Sequence, residues 1–483
     1  MRNISAAVLL LFMPILSAAA AEAPSAGPQA TAQQVRTARG ELRMPGRKII
    51  FNVSEDGIAQ EKLTLTLAHD LIEVSRSSTD KLYDFALRRI LTIDRTSRSF
   101  VNTSLHGNLA SRVFEAQNRA FISGALNAAK VEAKPQPLDA FWVASELGVA
   151  MPNQAPPTIE RRAEQNSIVF SYSGQEVARI TPSSVQLSTE ELRRLGSFLR
   201  YECALHPEIV SAFLATGRLP QEFAFERTMG LKRTRVSYEL ASVEAVEMTY
   251  PLPGDYRADP LPARSGDAAS EELRLLLPVM LEAIALRHGG GPRSVSDYEM
   301  AIDHALSSGK GFQALLLAVE LSLQHGNSPA NCAMTPVPKP CHSLGEIRTV
   351  IGDDERAKSY IAAMQAEQVG RDVDKAIMIW RAIPRDGLAN GYVIDDHIAN
   401  AMTAKGMPVG EILSMFASAI RGNPYVPTFY KDLGDYFARQ HRSDLAWLCY
   451  DLGRQLPDAN ATPVLPSITN LEKRFAADFP QFF

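Results

Sequence analysis

Apolar and polar positions alternate with a period of two over most of residues 45–250. In KLTLTL, Leu63, Leu65 and Leu67 alternate with Thr64 and Thr66, and in LYDFAL, Tyr83, Phe85 and Leu87 face away from Asp84 and Ala86. Such alternation predicts half-buried strands. IVFSYSGQEVARI repeats it around Ser173-Gly174, a pair that tolerates positive φ and so predicts a hairpin, and EFAFER and TRVSYEL extend the series. Two stretches break the alternation with helical spacing. NLASRVFEAQNRAFI places Leu109, Val113, Ala116 and Ala120 on one face, and STEELRRLGSFLRYEC opens with Ser188 and Glu191 as a capping box before a stripe of Leu192, Leu195, Leu199 and Cys203. Strands with a few amphipathic helices predict an α+β unit over 45–250, a curved antiparallel sheet with helices on its inner side.

Residues 22–44 carry Ala, Pro, Gln and Ser without apolar periodicity and read as a flexible leader; residues 251–270, with their prolines and glycines, read as a linker. From 271 to 483 the period is that of helices throughout: EELRLLLPVMLEAIAL, DYEMAIDHAL, GFQALLLAVELSLQ, ERAKSYIAAMQAEQV, DKAIMIWRAI, IANAMTA, EILSMFASAI and the two halves of NPYVPTFYKDLGDYFARQHRSDLAWLCYDLGRQLPD. Within this all-α half a triplet recurs. Ala376, Trp380 and Ile383 are followed by Ile412, Phe416 and Ala419, then by Ala446, Tyr450 and Gly453, at intervals of 36 and 34 residues. That interval fits two antiparallel helices and their turns, units that stack because each leaves an apolar face for its neighbour.

The last unit resembles the tetratricopeptide repeat family. Tyr430, Leu433-Gly434 and Phe437 stand where that family places an aromatic, Leu-Gly and a second aromatic; Ala446 and Tyr450 match its second-helix alanine and aromatic, and Pro457 its closing proline, one residue early. His441 replaces a usual turn glycine, Gly453 a small alanine, and Ile412 the packing alanine of the preceding unit. The likeness is best over 411–458. It implies a right-handed helical solenoid that engages a peptide or protein on its concave face, with Trp380, Phe416, Tyr430, Leu433, Gly434, Phe437, Ala446 and Tyr450 as packing residues. The order of strands and helices in the first half is loosely similar to that of periplasmic lipoprotein carriers, which implies an alternative, an apolar ligand such as a lipid held by the curved sheet.

Composition adds the compartment. MRNISAAVLLLFMPILSAAAAEA has one early cation, a short apolar run and a small-residue tail, the pattern of a signal peptide over residues 1–21, and its apolar part is too short to span a bilayer. Export to a periplasmic or secreted location is expected, with no integral membrane segment in the mature chain. A net charge of −4, with basic residues dispersed, gives no electrostatic footprint for nucleic acid. The run Lys232–Arg235 reads as a solvated face.

Few residues carry recognisable chemistry. Cys332 and Cys341, across a loop with three prolines, predict a disulfide in an oxidising compartment, contributing roughly 2–3 kcal/mol in the chain-entropy model; two thiols and His342 are too few ligands for a metal site. Cys203 and Cys449 read as buried thiols. Ser78/Lys81 and Ser307/Lys310 fit S-x-x-K without companion motifs, Asp395-Asp396-His397 reads as a solvated face or helix start, and His69-Asp70 as a turn. Asn52, Asn102 and Asn460 head glycosylation triplets, which matter only in a eukaryotic source. No cofactor, metal or catalytic motif is predicted. The expectation is a non-catalytic binding or scaffold protein of the cell envelope that engages a protein or peptide partner; a lipid carrier and a hydrolase with a non-local active site are the alternatives.

Overall fold

The computed structural model describes residues 27–483 apart from 41–42, 131–137, 151–156, 230–231, 262–267, 288, 290, 327–350, 352–353, 458 and 460–463. The signal pattern and the pair Cys332 and Cys341 therefore lie outside the described residues.

The first half is a twelve-stranded sheet with helices. Strands β1 (Arg43–Glu55), β2 (Ile58–Ala68), β3 (Leu71–Ser75), β4 (Thr79–Asp84), β5 (Arg89–Asp94) and β6 (Ser99–Ser104) form one meander. A second comprises β7 (Glu160–Glu164), β8 (Ser167–Tyr172), β9 (Gln175–Gln186), β10 (Arg218–Met229) and β11 (Lys232–Thr249). The last long strand returns to the first: β11 pairs β1 antiparallel from Arg43↔Thr249 to Glu55↔Val236, which joins the meanders into one sheet. Its order is β12-β6-β5-β4-β3-β2-β1-β11-β10-β9-β8-β7, where β12 (Arg257–Ala258) pairs parallel to β6. Ser173 and Gly174, both at positive φ, make the two-residue turn between β8 and β9; Asp56 and Gly57 do the same between β1 and β2.

Between the meanders lie α2 (Leu105–Ala128) and α3 (Ala140–Leu147), and between β9 and β10 lie α4 (Thr189–Tyr201) and α5 (Pro207–Leu214). They cover one sheet face. Phe223 of β10 stacks on Tyr238 of β11 at 4.5 Å, Phe51 of β1 meets both rings edge-on, and Phe198 of α4 meets Tyr238 edge-on at 6.4 Å. The Ser188–Glu191 capping box starts α4 as its sequence predicts. Arg112 of α2 donates to Leu147 O at 2.9 Å, Arg200 O at 3.1 Å and Tyr201 O at 3.1 Å, so one guanidinium satisfies the open carbonyl ends of both α3 and α4.

The stretch read as a flexible leader departs from that reading. It contains α1 (Ala32–Arg39), capped by Thr31, with Ala32 and Val35 buried against the opposite face of the sheet beside Leu82, Leu91 and Phe100. Arg39 ties the helix down through Asp70 and through the fully buried Asp84, 3.0 Å from its Nε. β1 likewise begins at Arg43, inside that stretch. The proline-rich segment is not a free linker either. Leu252 and Leu261 are buried, and β12 extends the sheet edge between them.

The second half is helical: α6 (Ala268–Ile284), α7 (Val295–Ser307), α8 (Gly311–His325), α9 (Glu355–Gln368), α10 (Val373–Ala382), α11 (Tyr392–Lys405), α12 (Val409–Gly422), α13 (Pro427–Arg439), α14 (Ser443–Gly453), α15 (Val464–Asp478) and a 3₁₀ turn, Pro480–Phe482. Helices α7/α8, α9/α10, α11/α12 and α13/α14 are joined by three or four residues and pack as antiparallel pairs, an arrangement compatible with a helical repeat. Among the described residues no helix is long and apolar enough to cross a membrane.

Both halves meet across buried contacts. A Cβ on Gly107 of α2 would stand 3.0 Å from Trp447 Cβ of α14, Arg89 of β5 pairs with Asp451 of α14, and Phe482 sets its ring edge-on to Tyr201 of α4 at 5.2 Å.

Candidate functional site

The residues singled out for the repeat form the interior of the helical half. Trp380, Phe416, Tyr430, Leu433, Phe437, Ala446 and Tyr450 are all buried. Gly434 lies under the Tyr450 ring, where an added Cβ would come within 2.3 Å of Cε1 and 3.1 Å of Ala446 O. The absence of a side chain there lets α13 and α14 approach. Trp380 stacks on His397 at 4.9 Å and meets Tyr360 edge-on at 4.8 Å, filling the junction of α9, α10 and α11.

These are packing residues, and the exposed features lie beside them. A cavity of about 550 Å³ forms a groove bounded by α10, α11 and α12. Ile383, Ile398 and Met402 form its buried floor, Met415 and Ser414 one wall, and Arg381, Arg385 and Glu411 its rim. The rim is tied across: Arg381 reaches Glu411 at 3.0 Å, and Arg385 pairs with Asp395, whose other oxygen accepts from Ser418 at 2.6 Å.

A polar spine crosses the first helices of three successive pairs. Tyr360, Asp396 and Asp432 occupy α9, α11 and α13 at intervals of 36 residues, one per pair. Asn400 Nδ2 donates to Asp432 Oδ2 at 2.8 Å and lies 3.3 Å from Asp396 Oδ2, while Tyr360 and His397 Nε2 are hydrogen-bonded at 2.8 Å. Of the two readings the sequence allows for Asp395-Asp396-His397, a solvated face is excluded by burial, while Asp395 does stand in the first turn of α11. Both aspartates are buried within α11, because that helix is covered on either side by a neighbouring pair. Burial, then the nearby Asp432 charge, raises Asp396 well above the ordinary carboxylate range; burial also raises Asp432, against the opposing pull of Lys431. His397 is lowered to about 4 by burial, so it is neutral at physiological pH.

A second polar node locks the pairs together. The buried Glu320 of α8 accepts from Tyr298 at 2.8 Å, Tyr392 at 2.6 Å, Asn423 and Asn390, so α7, α11 and the segments before α11 and α13 converge on one carboxylate.

The remaining sequence candidates are not brought together. Lys81 binds Glu202 at 2.8 Å, and Ser307 bonds back to His304 O. Asp70 sits in the turn predicted for it and pairs with Arg39. Burial would raise Glu202, but Lys81, the Tyr83 hydroxyl and Arg76 outweigh it and hold the carboxyl below its usual range. Cys203 and Cys449 are buried and free, and burial pushes both thiols up, which makes them poor nucleophiles. Asn102 is buried and donates to Gly27 O, so it is closed to glycosylation. Sequence reasoning missed the Asp396–Asn400–Asp432 link and the groove. The 36-residue spacing was the available signal for the former; the groove depends on helix packing that no local pattern states.

No protein-family model, curated protein or solved structure matches the chain.

Proposed function

We propose that this chain is an exported, non-catalytic binding or scaffold protein that engages a protein or peptide partner through its helical half. The observation that carries the reading is the groove between α10, α11 and α12, with an apolar floor for a partner side chain and a charged rim to orient it. The tetratricopeptide likeness supports the same reading: the glycine under Tyr450 and the alanine beside it occupy the places that family uses to pack its paired helices. Export rests on the signal pattern of residues 1–21. Carriage of a lipid on the sheet is less favoured, since α4 and its Phe198 occupy the face on which such a ligand would lie.

Affinity capture from a cell-envelope extract tests the proposal, with the mature chain and a Ser414→Trp variant that fills the groove from an exposed position. A partner held by the native chain and lost from the variant, with unchanged thermal unfolding, supports it. Equal capture by both overturns the groove as the recognition element, and recovery of lipid from the purified chain favours the sheet.

A further inference from the structure

We propose that Asp396 and Asp432 share a single proton and act as a pH-sensitive clasp between the helical pairs α11/α12 and α13/α14. This does not rest on the binding reading above. Three observations lead to it. First, the carboxylates converge on one amide, Asn400 Nδ2, which stands 2.8 Å from Asp432 Oδ2 and 3.3 Å from Asp396 Oδ2. Second, Asp396 is 2% exposed and its Oδ1 has no hydrogen-bond partner, so an ionised carboxylate there would lack the donors that burial of its charge demands. Third, the two residues occupy the same place in successive first helices, 36 residues apart, so stacking of the pairs forces them together.

Among the described residues no cation pairs with Asp396; the Lys431 charge works to lower it, but burial and the Asp432 charge outweigh that. From α13, Lys431 is 3.7 Å from Asp432 Oδ1 and 2.5 Å from Asp435 Oδ2; burial works to lower it, and those two carboxylates more than offset this and keep it protonated. From α9 come Tyr360 and Glu367, itself raised by burial, and from α11 come Asp395, paired with Arg385, and neutral His397. From α14, Tyr450 gives its hydroxyl to Asp435 at 2.7 Å. Apart from Lys431, the charged neighbours of the pair are acidic. Two like charges on one amide in a buried site do not both ionise, so the pair as a whole keeps one proton.

The sign follows from linkage. The folded chain keeps a proton that the unfolded chain releases at ordinary carboxylate pH, so the stabilisation is complete below the unfolded value and is lost as pH rises through the raised folded value. Within that window the folding equilibrium constant falls about tenfold per pH unit for the one proton.

Infrared difference spectroscopy of the full-length mature protein, with urea unfolding from pH 5 to 8, tests the clasp. The expected result is a protonated-carboxyl band at neutral pH that disappears in Asp396→Asn, and a fall in stability with pH that flattens in both Asp396→Asn and Asp432→Asn. Asp374→Asn, an exposed carboxylate on α10, should keep the native slope. A native chain without the band, or single variants that retain the native pH slope, overturns the proposal.

Discussion

Gly434 illustrates how one position fixes the distance between two helices. Its φ is ordinary for a helix, so its value lies in space alone: a methyl group there would stand 2.3 Å from the Tyr450 ring. Gly434→Ala is expected to destabilise the helical half by about 1–3 kcal/mol through overpacking, read from urea unfolding followed by tryptophan fluorescence. Glu320 is the opposite case, a group whose partners matter more than its size. Four donors converge on its buried carboxylate; Glu320→Leu would take the closest acceptor from the Tyr392 hydroxyl and the Asn390 amide, and leave Tyr298 and Asn423 with only Gln324 and each other. A loss of about 3 kcal/mol or more is expected, since breaking a buried hydrogen-bonded charge leaves unpaired polar groups behind. Neither role is visible locally. The Leu-Gly pair is legible because it belongs to a repeat, whereas Glu320 sits in an apolar run, GFQALLLAVELSLQ, that announces only a helix.

At the scale of elements, the period of the pattern separates strands from helices, and many elements stand where alternation or helical spacing places them, but the strand read in LYDFAL ends at Asp84 and residues 85–87 belong to the turn before β5. Those missed are instructive. Helix α1 has a short apolar face, Ala32 and Val35, too small to register as a stripe, and it holds its place through Thr31 at one end and Arg39 at the other. Helices α3 and α5 span eight residues each, so little periodicity accumulates before they end. Helices this short depend on their ends. Arg112→Met is expected to cost about 3 kcal/mol, because three backbone carbonyls at the ends of α3 and α4 lose a charged donor; hydrogen exchange should accelerate first in those two helices.

For the whole molecule, the division into a sheet half and a helical half holds, but the halves share buried contacts instead of hanging from a free linker. Arg89 of β5 and Asp451 of α14 are both nearly inaccessible; Asn102 Oδ1 accepts from Arg89 Nε at 2.7 Å, and Arg454 lies 3.5 Å from the other Asp451 oxygen. Nearby, burial followed by the neighbouring charge of Arg88 lowers His106 to about 3, which keeps its ring neutral against Phe483. The native chain is expected to unfold in one thermal transition, and Arg89→Met to destabilise it by about 3 kcal/mol and split that transition in two on calorimetry. A native chain that already melts in two steps would mean that the contacts between halves are too weak to couple them.

The sequence by itself determined the kinds of element, their order, the change from strand period to helix period near residue 270, and the recurring small-aromatic-small triplet. These are legible because burial of one face imposes a local period on the chain. Only tertiary structure decided the return of β11 to β1, the covering of the second sheet face by α1, the burial of Asp395 and Asp396, the groove between α10 and α12, and the docking of α14 on α2. Each depends on residues tens to hundreds of positions apart, and the contacts that select such pairings form between surfaces whose local patterns are equally suited to water or to a neighbour.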